Sequence, residues 1–234
     1  MINVRLKFTK GSEVKYISHL DLMRTFMRVV RRAEVPIAYS GGFNPHPEMS
    51  FGAPLSLGVI SLAEYVDINL AQEVPLSELV DKLNQYMPMG IKVLGAIKLP
   101  EKFKSAMALI THAKYSIKAY IDDADTKELK EKLNSFINQE QILAQKKQPK
   151  KNFQIKEVDI RPMILEMNFD GCQDGICIFS CLLHSGSKAN LKPEMLMQAF
   201  SDYVGLNFNR TTITREEVFV EQDGKLIDLL QYRD

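Results

Sequence analysis

Ile2-Asn3-Val4-Arg5-Leu6-Lys7-Phe8 carries an apolar side chain at every even position and a polar one between. A period of two places Ile2, Val4, Leu6 and Phe8 on one face of a β-strand, so that face is expected to meet a core and Arg5 and Lys7 to point away from it. Ser18 and Asp21 then stand at capping-box spacing, and Leu22, Phe26, Val29, Val30 and Ala33 share one helical stripe running to about Val35. Strand followed by amphipathic helix is the unit from which the rest can be read.

Gly41, Gly42, Pro45, Pro47 and Gly52 break the next stretch into a long loop, after which Val66, Ile68 and Leu70 alternate with Asp67 and Asn69 as a strand of a loose hairpin. Leu76, Leu79, Val80, Leu83 and Met87 predict a second helix from Pro75, and Ile91 with Val93 opens a closing strand. The order is βαββαβ. It recurs downstream: a strand over Tyr115, Ile117, Ala119 and Ile121, then a helix capped by Asp125. Strands near 158–169 and 175–183 follow, joined by a turn over 170–174, then a helix from Pro193 and a last strand over 212–220. The expected fold class is therefore α+β, two tandem ferredoxin-like domains with antiparallel sheets, residues 1–104 with the Gly/Pro loop and 105–234 with a Lys-rich loop, the alternative being one continuous α+β sheet domain with the same elements.

Composition narrows the function. Hydrophobic residues at 45% and charged residues at 25% are ordinary globular usage, which excludes disordered and fibrous classes. A net charge of +1 rules out a polycation, so attraction to nucleic acid has to come from local clusters. No apolar run approaches the roughly 20 residues of a membrane span, and the N-terminus lacks a signal-peptide core, so a cytoplasmic protein is expected. Cys172, Cys177 and Cys181 are odd in number and fit neither zinc nor cluster spacing; reduced packing thiols, with no metal and no cofactor, are expected.

Two basic clusters stand out. Arg24, Arg28, Arg31 and Arg32 fall on one face of the first helix, opposite its apolar stripe. Their planar, always charged guanidinia suit phosphate oxygens, although a merely solvated face, partly neutralised by Asp21, reads the same way. Lys146, Lys147, Lys150, Lys151 and Lys156 cluster around Pro149 and Phe153, expected as a flexible loop able to order on phosphates or simply to solubilise. Ser40-Gly41-Gly42-Phe43-Asn44-Pro45-His46-Pro47 sets an aromatic ring and an imidazole among glycines and prolines. Phe43 could stack on a base with Asn44 and His46 bonding beside it, or the ring could close the core. His19 and His46 are the pair able to do general acid and base work in metal-free RNA cleavage, without a carboxylate at a recognisable spacing. His112 and His184 have no evident partner.

The strings Tyr16-Ile17-Ser18-His19-Leu20-Asp21, Arg31-Arg32-Ala33, Gly42-Phe43-Asn44-Pro45-His46-Pro47, Leu57-Gly58 and Glu64-Tyr65, with Val158-Asp159-Ile160-Arg161-Pro162 downstream, resemble the radical-SAM-linked family of bacterial proteins. The resemblance implies a domain found alone or behind a cobalamin-binding radical SAM enzyme, and a radical SAM enzyme as a partner. This chain lacks the three-cysteine signature of such an enzyme. Family genes often neighbour those of an E/G-type ribonuclease and ribosomal proteins, which implies an RNA or ribosomal component as target. The strand face of Arg5, Lys7, Tyr65, Asp67 and Asn69 is poor in stacking aromatics, so RNA contacts are expected from helix and loops. The expected function is a noncatalytic RNA- or ribonucleoprotein-binding accessory module; the rivals are a protein- or small-ligand-binding module and a metal-independent RNA endonuclease.

Overall fold

The structure is a computed structural model and describes residues 1–121, 125–148 and 154–233. The chain divides into two compact units, Met1–Thr111 with Arg215–Asp234, and His112–Thr214. Both are mixed α+β with antiparallel strand pairing.

The first unit begins with β1 (Ile2–Lys10), α1 (His19–Arg32), β2 (Met49–Phe51), β3 (Ile60–Leu70), α2 (Leu76–Tyr86), β4 (Ile91–Lys98) and a single turn, α3 (Ala106–Leu109). β1 lies between β4 and β3, antiparallel to both, and β2 lines the far edge of β3. The alternation read in β1 is realised: Val4, Leu6 and Phe8 are fully buried, and Leu22, Phe26, Val29 and Val30 of α1 close over them. Phe26 packs 4.8 Å from Phe8 and edge-on to Phe51 at 5.2 Å, so α1, β1 and β2 share one aromatic cluster.

The second unit holds β5 (His112–Tyr120), α4 (Thr126–Ile137), β6 (Leu143–Gln148), β7 (Gln154–Asp159), β8 (Ile164–Gln173), β9 (Ile176–His184) and α5 (Pro193–Val204). β9 pairs with β5 on one side and β8 on the other, while β6 and β7 form a separate hairpin. Asp125 caps α4 through the backbone N–H groups of Lys127 and Glu128, and Phe136, Phe179 and Phe200 form the aromatic centre of the core. Cys177, Phe179, Cys181 and Leu183 do line one buried face of β9. The expectation of three reduced thiols fails, however: Cys172 on β8 stands opposite Cys177 on β9 and the two form a disulfide, with Cα atoms 4.0 Å apart. Direct cross-strand pairing brings the two Sγ atoms within bonding reach, which the linear spacing did not reveal. Cys181 is buried outside that bridge.

The chain returns to the first unit within β10 (Asn209–Gln222), which pairs with β11 (Lys225–Asp228). Residues 215–234 thus belong with residues 1–111, not with the 105–234 half read from the linear pattern, because β10 runs on as a neighbour of β3.

The side of the β1–β3 sheet away from α1 is covered as well. Arg5 and Asp67, on neighbouring strands, are 1% and 4% exposed and form a two-pronged ion pair, Nε to Oδ1 at 2.7 Å and Nη2 to Oδ2 at 3.1 Å. Arg5 Nη2 also donates to the Lys104 carbonyl at 2.9 Å, and Asp67 Oδ2 accepts the Ala106 N–H at 2.7 Å. The pair therefore latches the segment leading into α3 onto the sheet. Further along the same face Lys7 reaches Asp228 at 2.7 Å and also Glu217, and the Tyr65 hydroxyl donates to both carboxylates. Burial works against the Lys7 ammonium but its bonds to Asp228 and Glu217 win, so its pKa rises above the usual lysine value. Burial alone would raise Asp228, yet Lys7 and the Leu230 N–H hold it below the usual aspartate value, while burial pushes Glu217 up.

Two outcomes follow from this sealed face. Arg5→Met is expected to lower unfolding free energy by about 3–5 kcal/mol, because it leaves the Asp67 carboxylate buried and unpaired; urea unfolding measures it, and adding Asp67→Leu should recover much of the loss. A lysine whose folded pKa is raised stabilises below its unfolded value and loses this as pH climbs through the folded one; a depressed aspartate stabilises above its unfolded value and loses this as pH falls. The stability difference between wild type and Lys7→Met should thus be widest between about pH 5 and pH 9 and shrink as pH falls below the usual aspartate range.

Candidate nucleic-acid interface

α1 starts where Ser18 caps it, its hydroxyl oxygen accepting the Asp21 N–H at 3.1 Å and its O–H donating to Asp21 Oδ2 at 2.7 Å. The Ser18 hydroxyl and the Arg24 guanidinium hold the exposed Asp21 carboxyl below the usual aspartate range. Arg24 bonds Asp21 at 3.1 Å as a solvent-exposed pair. Arg28, Arg31 and Arg32 are exposed too, and no carboxylate among the described residues pairs with them. With Leu22, Phe26, Val29 and Val30 turned into the core, the helix has no other way to sit, and the arginines form its outward ridge. Arg31 and Arg32 occupy the last turn, where the helix dipole favours positive charge.

Only residues 33–37 separate that ridge from the hairpin of residues 38–48 that contains the Gly/Pro stretch. Ser40 N–H donates to the His46 carbonyl and Glu48 N–H to the Ala38 carbonyl, both at 2.9 Å, and Ala38 N–H is tied to Asn69 of β3 at 2.7 Å. At its tip Gly42 adopts φ +104°, which a side chain would resist. Phe43 is fully exposed, so the ring does not close the core. Asn44 and His46 are exposed beside it, His46 Nδ1 lying 2.9 Å from Ser40 Oγ.

The two candidate acid–base imidazoles have separate surroundings: His19 packs edge-on against Phe51 at 5.7 Å, and His46 is engaged by Ser40 in the hairpin. Lys146 and Lys147 do not sit in a flexible loop. They belong to β6, with Lys146 exposed and directly opposite Lys156 of β7. Like charges facing each other across a strand pair destabilise it unless an anion intervenes. Lys150, Lys151 and Phe153 lie outside the described residues.

One polar cluster was missed. Lys10 is 3% exposed and donates to the carbonyls of Lys15 and Ile17 at 3.1 and 3.2 Å, fixing the approach to α1. Burial pushes its pKa down against the pull of Glu64. Glu64 in turn is ion-paired with Arg215, which also donates to the Ala53 carbonyl at 3.1 Å. Lys10, Glu64, Ser18 and His19 border one small cavity beneath the start of α1. A signal for it existed, since Lys10 continues the even, core-facing series of β1. His112 and His184, without an evident partner in the linear sequence, stand opposite each other on β5 and β9 with ring centres 4.4 Å apart.

No curated protein matches the sequence. Among solved structures the chain resembles a chain of the H/ACA RNP bound to a substrate RNA containing 2'-deoxyuridine, at 7% identity, 92% of this chain, 47% of that chain and a TM-score of 0.49. It also resembles a chain of a Cbf5-Nop10-Gar1 complex, at 9% identity, 97% of this chain, 52% of that chain and a TM-score of 0.51. The chain spans about half the length of each, and at such identities the likeness concerns the fold alone. Residues 3–193 match a family across both units, so the chain belongs to DUF2344, described as an uncharacterized protein conserved in bacteria.

Proposed function

We propose that this protein is a noncatalytic RNA- or ribonucleoprotein-binding module of two ferredoxin-like halves, acting in the cytoplasm and presenting its target to a separate radical SAM enzyme. The observation that carries the RNA reading is the arginine ridge of α1: Arg28, Arg31 and Arg32 are exposed without a carboxylate partner among the described residues, next in sequence to a rigid hairpin that holds a bare Phe43. Guanidinia fork onto phosphate oxygens, and an aromatic ring held in water gains by stacking on a base. The sheet face is an unfavourable alternative, because Arg5, Asp67, Lys7 and Tyr65 are covered by the α3 segment and the C-terminal strands and engaged in bonds there. The radical SAM partner rests on the sequence resemblance. Among the described residues no helix is long and apolar enough to cross a membrane.

Binding of the purified protein to total cellular RNA and to ribosomal subunits, measured against salt, tests this. Replacing Arg24, Arg28 and Arg31 together by Ala should leave urea stability within about 1 kcal/mol, because exposed helix charges contribute little. The slope of log affinity against log salt should fall by about 2, as expected for losing three single-strand phosphate contacts. Phe43→Ala should cost about 1–3 kcal/mol in binding with the salt slope unchanged. Absence of binding by wild type at low salt and micromolar protein overturns the RNA reading.

A further inference from the structure

The first unit also contains a cavity of about 260 Å³, far from a mere packing gap, between the end of β4, the segment entering α3 and the C-terminal residues. We propose that it is a binding site for a small monocarboxylate with an apolar body.

The walls explain the apolar requirement. Ile97, Leu99, Phe103 and Leu109 line it, with Tyr232 beside them. Its size falls just below the roughly 300–1,000 Å³ usual for small-molecule pockets, which limits the occupant to a compact ring or branched chain. The charged side chains bordering it are all cationic, Arg5, Lys98, Lys104 and Arg233, and no carboxylate borders it among the described residues.

Arg5 supplies the specific contact. The guanidinium is 1% exposed, and three bonds fix its plane: Nε and Nη2 to Asp67, and Nη2 to the Lys104 carbonyl. Nothing among the described residues accepts a hydrogen bond from the other amino group, Nη1. Yet no fully enclosed polar side-chain atom among them is left without a partner. Nη1 therefore keeps access to the cavity that Arg5 borders, with its N–H donors fixed in direction before any ligand arrives. A carboxylate oxygen would complete the set by a charge-assisted bond at little loss of side-chain entropy. Asp67 offsets the charge of Arg5 itself, so the ligand's charge is met at the rim. There Arg233 is exposed and, among the described residues, donates to the Leu230 and Tyr232 carbonyls. Lys98 forms an open pair with Glu73. A phosphate dianion fits less well, because its second charge would be desolvated against apolar walls.

Titration calorimetry and ligand-detected NMR on the whole chain, with benzoate, benzyl alcohol and benzylamine as probes, test the assignment. Benzoate should bind about tenfold more tightly than benzyl alcohol, equivalent to about 1.4 kcal/mol, and benzylamine should not bind. Leu99→Trp, which fills the cavity from its wall, should abolish benzoate binding. Arg233→Ala, which shortens an exposed side chain, should weaken benzoate about threefold and leave benzyl alcohol unchanged. Circular dichroism confirms that each variant is folded, and Arg233→Ala decides the matter if Leu99→Trp is not. Equal affinity for the acid and the alcohol, no binding of any probe, or benzoate affinity unaltered in the folded variants overturns the proposal.

Discussion

The Arg5–Asp67 pair ties β1, β3 and the segment entering α3 together. It lies on the strand face that an ordinary half-buried sheet would leave to water, and both partners are almost completely enclosed. Two charges in such a place are tolerable only if they neutralise each other and every remaining donor and acceptor is used. The Lys104 carbonyl and the Ala106 N–H meet part of that demand and draw the chain leaving β4 across the sheet into α3. The Lys7, Tyr65, Glu217 and Asp228 network does the same for the C-terminal strands.

Sealing that face directs where the first unit can act. A four-stranded antiparallel sheet with an open face could offer it to RNA, but here the side chains that would read a base are committed to one another. The arginine ridge of α1 and the tip of the 38–48 hairpin are among what the unit leaves in water. Both are held by the apolar side of the same elements: Phe26 and Val30 fix the rotation of the helix, and the backbone bonds from Ala38 to Asn69 fix the root of the hairpin. The same covering segment encloses the Arg5 cavity, so one device both removes a surface from use and creates an interior site.

Much of this was legible in the chain. The alternation of Ile2 to Phe8, the Ser18–Asp21 cap, the stripe of Leu22 to Val30 and the Pro75 and Pro193 helix starts are local, and each appears where its period or capping chemistry requires. Lys10 shows a legible signal passed over: it sits in phase with Val4, Leu6 and Phe8 and is buried as they are.

The sequence by itself determined the elements, the apolar side of each and the outward direction of Arg24, Arg28, Arg31 and Arg32, because these depend on periodicities of two and 3.6 residues. Only the tertiary structure decided the rest. That Arg5 meets Asp67, that Cys172 meets Cys177, that His112 meets His184 and that residues 215–234 return to the first unit are consequences of strand register and sheet order. Those are set by which strands find each other across long stretches of chain, and no short-range period records that choice.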